Sequence, residues 1–290
     1  LFLGYSSLCK RKIIPIFKEK LKEIKFCICS KSQKREDIGA SKWYRNYKEA
    51  LEKSQADLVY ISLPNFLHYY WAKKFLEKNI GTNTTIKLSI PNKGPGTIES
   101  DFDEAMATPN VIESIIAAEK KGYDVAIISC FSDPGLEACR EKVNIPIVGS
   151  GENAILLSAQ LGNKFSILSP LHSNSFSFSK KIFSMGLEKK YCSTRGIGMS
   201  VLDLAKDRKK TLNKILSIGK AAINKDGADV LILGCMSMAF HDIAPDIQKK
   251  LKVPVINPVK ASLLTAEALV KMNIFHSKIT YPKPLSKKIY

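Results

Sequence analysis

Short apolar, β-rich runs alternate with longer stretches whose apolar residues recur every three or four positions, nearly from end to end of the chain. That alternation predicts parallel strands covered by helices on both faces, an α/β fold. In the first third it predicts strands over 1–3, 25–29 and 58–62, with helices about 10–21, 47–53 and 68–78. A strand over 84–90, a Gly/Pro loop over 92–97, a helix over 110–120 and a strand over 124–129 follow. Beyond them the pattern predicts strands over 145–148, 165–168, 191–196, 229–233 and 255–256. Helices over 152–161, 177–185, 201–225, 243–251 and 259–272 fit between these strands. The serine-rich stretch 173–179 predicts a flexible loop at a cleft mouth, placed to act as a lid.

One long internal echo interrupts this regularity. Gly122-Tyr-Asp-Val-Ala-Ile-Ile-Ser-Cys130 and Gly227-Ala-Asp-Val-Leu-Ile-Leu-Gly-Cys235 are the same device twice: glycine, aspartate, an apolar strand and a terminal cysteine. In parallel α/β sheets ligands bind at the carboxyl ends of strands. Two cysteines at equivalent edges suit proton transfer at a carbon, one thiolate removing a proton while a thiol on the opposite face returns one. A cysteine after an apolar strand is equally an ordinary small core residue. The matched contexts, with Asp133-Pro-Gly after Cys130 and Gly234 before Cys235 shaping tight turns, single these two out. Cys9, Cys27, Cys29, Cys139 and Cys192 have no such context and read as packing.

Composition bounds the rest. The 290 residues are 45% hydrophobic and 25% charged, the balance of a folded chain rather than a disordered one, and no apolar run reaches the ~18 residues of a membrane span. The net charge of +18 invites a nucleic-acid partner. Its distribution argues against one, because residues 1–80 and the remainder each carry +9 with no single basic block. Seven cysteines, odd in number and without framework spacing, favour a reducing, cytoplasmic setting. His172 and His241 lack metal-ligand spacing, so no metal is expected. Glu99 and Asp101 lie where they would touch a substrate or stand exposed in a loop.

From about Thr84 to Lys278 the chain resembles the hydantoin racemase branch of the aspartate/glutamate racemase superfamily. The residues that carry this are Gly94-Pro-Gly-Thr-Ile-Glu-Ser100, Ser129-Cys-Phe-Ser-Asp-Pro-Gly-Leu136, Ile147-Val-Gly149, Gly162-Asn-Lys-Phe-Ser-Ile167, Asp226-Gly-Ala-Asp229, Leu233-Gly-Cys-Met-Ser-Met238 and Val253-Pro-Val-Ile256. The resemblance implies two pseudo-symmetric flavodoxin-like lobes, a cofactor-independent reaction with Cys130 and Cys235 as its two acid/base residues, and a cyclic ureide substrate, a 5-monosubstituted hydantoin or allantoin. A homo-oligomer is expected. The backbone N–H groups of Phe131, Ser132, Met236 and Ser237, expected at helix starts, are candidate donors to the enolate oxygen. Helix starts would also depress the thiol pKa values. Phe131 and the Gly94-Pro95 loop are candidate walls of the side-chain pocket. The opening strand and Asn-Pro-Asn loop of that family are missing before Thr84, which would leave the first lobe incomplete and keeps an inactive remnant as an alternative.

Residues 1–80 resemble instead the start of the Gfo/Idh/MocA oxidoreductases, through Leu3-Gly-Tyr-Ser-Ser-Leu8, Ala56-Asp-Leu-Val-Tyr-Ile-Ser-Leu-Pro-Asn65 and His68. This implies a partial Rossmann-like segment, residues 1–80, ahead of a racemase-like domain, residues 81–290. Gly4, Ser6, Ser30 and Lys31 would be the remnant of an NADP site, Ser30 and Lys31 suiting a 2′-phosphate. The lysine motif and substrate domain of that family do not follow, so an NADP-binding module is the second alternative.

Overall fold

The fold was analysed in a computed structural model. It describes residues 2–3, 27–29, 42–44, 60–61, 79–81, 84–90, 93–204 and 207–285. The chain divides into two compact units, Leu1–Tyr70 and Trp71–Tyr290.

In the first unit four short strands, β1 (Phe2–Leu3), β2 (Cys27–Cys29), β3 (Lys42–Tyr44) and β4 (Tyr60–Ile61), pair in parallel in the order β3-β2-β1-β4. Strand β3 is absent from the sequence expectation. The helices expected over 10–21, 47–53 and 68–78 lie outside the described residues.

The second unit starts with α1 (Asp101–Lys120), β5 (Ala126–Ile128), α2 (Leu136–Lys142), β6 (Ile147–Gly149) and α3 (Ser150–Leu161). It continues through β7 (Phe165–Ser169), α4 (Ser175–Ser184), β8 (Tyr191–Gly196), α5 (Val201–Leu204) and α6 (Arg208–Asp226). The last elements are β9 (Val230–Leu233), α7 (Met236–Ala239), α8 (Ala244–Leu251), β10 (Val255–Ile256) and α9 (Pro258–Lys271). Strands β10-β9-β7-β8 form one parallel sheet and β5-β6 another. Every residue of β7 and β9 is buried, as expected where helices cover both faces of a parallel sheet.

Several expectations are corrected. The segment 84–90 forms no strand; side chains anchor it instead. Gly81 N and Thr84 Oγ1 donate to Glu267 Oε1 of α9 at 2.8 and 2.6 Å, and Ile86 and Leu88 pack with Met236 of α7 and Val259 and Leu263 of α9. The α1 helix begins nine residues before its expected start, because Ser100 caps it, accepting from Asp103 N at 3.1 Å, and three acidic residues occupy its first turn. Pro109 is carried inside it. The expected loop over 173–179 is a 3₁₀ turn, His172–Asn174, running into α4, so it is no flexible lid. The single helix expected over 201–225 is two, α5 and α6, with Asp207 capping the second. The short helices α2 and α7 are additions to the expected set.

Candidate active site

Both cysteines of the echo stand where the pattern puts them, and Gly122 and Gly227 take the same left-handed conformation, φ 78° and 76°. Each glycine turns the chain out of a long helix, α1 or α6, into the strand that ends in a cysteine. Cys130 follows β5 and Cys235 follows β9; both are half-buried. The two halves meet in one apolar cluster, where Ile127 of β5 packs with Met236 and Ala239 of α7. The thiols are close enough that charge on Cys130 disfavours charge on Cys235.

The turns that present them differ. Gly234 N donates to Leu168 O at 2.8 Å, and a Cβ there would stand 2.6 Å from Ile167 Cγ2, so only glycine lets the chain pass β7 this closely. Cys235 is then the N-cap of α7. After Cys130 the chain makes a turn, closed by Asp133 N donating to Cys130 O at 3.2 Å, in which Asp133 and Gly135 are left-handed, φ 57° and 70°. Helix α2 starts only at Leu136, so Phe131 and Ser132 are not at a helix start; Met236 and Ser237 are.

A second echo was missed: a serine two residues after each cysteine. Ser132 Oγ lies 3.3 Å from Cys130 Sγ, and its N–H also donates to that sulfur. Ser237 gives Cys235 the same two bonds, and Met238 N–H adds a third. The N–H groups of Ser132 and Ser237 are therefore engaged with the sulfurs rather than aimed at a substrate oxygen. Helix ends were expected to depress the thiols. Burial outweighs the donors, pushing Cys130 upward and Cys235 up to about 11.

Around Cys130 stands a set of charged side chains, of which the sequence points only to Asp133, and only as part of a tight turn. Asp133, only 4% exposed, accepts from Lys181 Nζ of α4 at 2.5 Å and from Gly151 N and Glu152 N at 2.9 and 2.7 Å. Lys181 Nζ also donates to Ser132 O at 2.8 Å. Glu104 of α1 acts electrostatically on Cys130; burial pushes its own carboxyl upward, and Lys181 and Ser132 oppose that rise.

Other candidates fare less well. Phe131 is buried edge-on against Phe178 of α4, ring centroids 5.0 Å apart, which makes it a packing residue. Met236 is likewise buried in its cluster. Gly94 is exposed with φ 132°, and Pro95 is half-buried beside it. Their loop is pinned by Glu99, whose Oε1 accepts from Val201 N at 2.7 Å, while Asp101 accepts from Ser177 Oγ at 2.5 Å. Both carboxylates thus hold the scaffold. Gly4, Ser6, Ser30 and Lys31, with Cys9, Asn65 and His68, lie outside the described residues. Among the described residues no three His, Cys, Asp or Glu side chains group as a metal site, and no helix is long and apolar enough to cross a membrane.

The family described as Asp/Glu/Hydantoin racemase matches residues 76–266, about two thirds of the chain. The chain belongs to the Asp/Glu/Hydantoin racemase family. It is similar to a hydantoin racemase of Pseudomonas sp. (strain NS671), 35% identical over 208 residues, 71% of this chain and 83% of that protein. A hydantoin racemase of Paenarthrobacter aurescens is 35% identical over 211 residues, 72% of this chain and 89% of its own. Among solved structures, the allantoin racemase from Klebsiella pneumoniae superposes with a TM-score of 0.73 at 28% identity, covering 77% of this chain and 91% of its own. This member of the racemase family is accordingly hydantoin/allantoin racemase-like, an enzyme of the isomerase class. The family match begins at residue 76, so it lends no support to the oxidoreductase resemblance of residues 1–80.

Proposed function

We propose that the chain racemises a cyclic ureide, a 5-monosubstituted hydantoin or allantoin, by proton abstraction and return at C5 through Cys130 and Cys235, on two pseudo-symmetric lobes. The observation that carries this is the repeated unit: a left-handed glycine, a parallel strand, a cysteine at its carboxyl end and a serine two residues on, with the two thiols in electrostatic reach of one another. A C5 hydrogen beside a carbonyl is acidic because the electron pair left behind delocalises onto oxygen. One thiolate takes that proton and becomes a thiol. The other thiol delivers its proton to the opposite face and becomes a thiolate, so the site's total charge is unchanged and the two sulfurs have exchanged roles. No redox step or organic cofactor enters this balance.

The test is deuterium incorporation at C5 of separate enantiomers of a 5-substituted hydantoin and of allantoin, followed by NMR with optical rotation. A two-base site exchanges and inverts both hands, and Cys130→Ser and Cys235→Ser each abolish inversion. Exchange no faster than in buffer with every ring would overturn the reading.

For residues 1–80 the strand order β3-β2-β1-β4 supports a partial dinucleotide-type segment, since that is the order of the first strands of such sheets. Fluorescence titration with NADPH tests it; no enhancement removes NADP from the account.

A further inference from the structure

The two cysteines share a motif, but their turns are held in different ways. The Cys235 turn is held by backbone: Gly234 N donates to Leu168 O at 2.8 Å and Ala239 N to Cys235 O at 3.2 Å. The Cys130 turn is also gripped from outside, by Lys181 of α4. An ammonium has three hydrogens and no lone pair, and Lys181 Nζ directs them to three acceptors of this one turn: Asp133 Oδ2 at 2.5 Å, Ser132 O at 2.8 Å and Phe131 O at 3.4 Å. A trans peptide carries its C=O and N–H on opposite edges, so drawing two successive carbonyls toward one cation turns the N–H groups of Ser132 and Asp133 the other way. That is the side of Cys130: Asp133 N closes on Cys130 O at 3.2 Å, and the Ser132 hydroxyl lies 3.3 Å from the Cys130 sulfur. Asp133 extends the grip to α3, accepting from Gly151 N at 2.9 Å and Glu152 N at 2.7 Å. Two helices thus fix the backbone that aims Cys130, through a lysine side chain only 19% exposed.

We propose that Lys181, through its three bonds to the turn 131–133, is a positioning residue for Cys130 alone, so that α4 serves proton transfer at one face of the substrate and leaves the other face to the backbone-built turn of Cys235. The inference rests on the racemase reading, in which each sulfur works at one face of C5. Lys181 acts through the backbone: it keeps the turn from swinging the Cys130 thiol out of line with the C5 hydrogen, and a misplacement on the order of 1 Å slows such a transfer steeply. An enantiomer gives up its C5 hydrogen to the sulfur that faces it. The two hands of one substrate therefore report on the two turns separately.

The experiment is deuterium exchange at C5 of each enantiomer of a 5-substituted hydantoin and of allantoin, at saturation, with Cys130→Ser and Cys235→Ser assigning each hand to the sulfur it faces. Lys181→Met is expected to slow exchange of the hand facing Cys130 about tenfold or more relative to the other hand, with KM little changed and at every pH tested. Lys181→Arg keeps the charge beside Asp133 but replaces three bonds around one nitrogen with a planar fork, and is expected to fall between Lys181→Met and the wild type. No slowing, or equal slowing of both hands as a purely structural role would give, overturns the proposal. So does a loss that disappears as pH rises, which would assign Lys181 to the acidity of the thiol. Should Lys181→Met fail to fold, Lys181→Arg carries the same comparison, and an exchange ratio equal to that of the wild type overturns the proposal. Iodoacetamide alkylation keeps the two readings apart: in a folded Lys181→Met chain, with buried Cys139 unlabelled, Cys130 is expected to react several-fold faster relative to Cys235 than in the wild type. If neither hand exchanges in the wild-type chain the racemase reading falls. A raised alkylation ratio then leaves Lys181 as the anchor of the Cys130 turn, and an unchanged ratio removes that role too.

Discussion

Lys181 Nζ stands 2.5 Å from Asp133 Oδ2, and this contact joins α4 to the turn that presents Cys130. The carboxylate side chain is 1% exposed and the lysine side chain 19%, so the pair is largely out of water. A buried carboxylate deprived of its cation keeps its desolvation cost and loses its compensation.

Lys181→Met is therefore expected to cost about 3 kcal/mol in urea unfolding at neutral pH. Burial already pushes the Asp133 carboxyl above the usual carboxylate range, with Lys181 opposing. A folded pKa above the unfolded one means that stability falls as pH rises through the interval between them. Without Lys181 that interval widens, so the variant should regain part of its deficit as pH is lowered from 7 toward 5. A deficit independent of pH would show that Asp133 is not the group involved.

His276 supplies the opposite sign. Its Nε2 accepts from Ile147 N at 2.8 Å, and burial, helped by Arg140, holds its pKa below the ordinary histidine value. The unfolded chain then binds a proton that the folded chain refuses, so stability is lost as pH falls below about 6.5. His276→Gln should flatten that slope in thermal melts between pH 5 and 7. Equal slopes for both proteins would contradict this account.

Gly151 and Gly122 separate two reasons for a glycine. A Cβ on Gly151 would run into the carbonyl oxygen of Phe131, whereas one on Gly122 meets nothing within 4 Å and only its φ of 78° is strained. Gly122→Ala should cost about 1 kcal/mol. Gly151→Ala should cost more than about 2 kcal/mol and disturb the Cys130 turn. Chemical denaturation of the two variants side by side checks the order.

Cys139 provides the internal control for thiol chemistry. It is fully buried in α2, whereas Cys130 and Cys235 are half-buried, so exposure and not thiol acidity separates them. Native alkylation at pH 8 should leave Cys139 unlabelled while the half-buried Cys130 and Cys235 react. Labelling of Cys139 at a comparable rate would indicate opening of the β5-β6 side.

What the sequence reveals follows from what is periodic or local. Buried strands such as β7 and β9 and the glycine that precedes each cysteine-bearing strand are written in consecutive residues, so the sequence alone locates them. Helix α1 was cut short because Pro109 masks a start that Ser100 actually fixes. The strand expected at 84–90 has the right residues, yet a strand also needs ladder partners, and this segment is held by Glu267, far along the chain. Glu104 and Lys181 escaped notice for the same reason: they lie 26 and 51 positions from Cys130, and only the packing of α1 and α4 brings them to it. The serines at 132 and 237 were legible. Their spacing from the cysteines repeats, but only the fold shows that their hydroxyls, and not just their backbone donors, turn to the sulfurs.

Helix α3 carries no side-chain cap from Gly149, its own N-cap; the carboxylate of Asp133, 18 residues upstream of Gly151, does that work. The amides of Gly151 and Glu152 are thereby locked to the loop that carries Cys130. They can trade hydrogen with solvent only when Asp133 lets go. Two backbone protons in an unremarkable helix thus become a clock for the opening of the reactive turn, readable in a protein whose cysteines are left untouched.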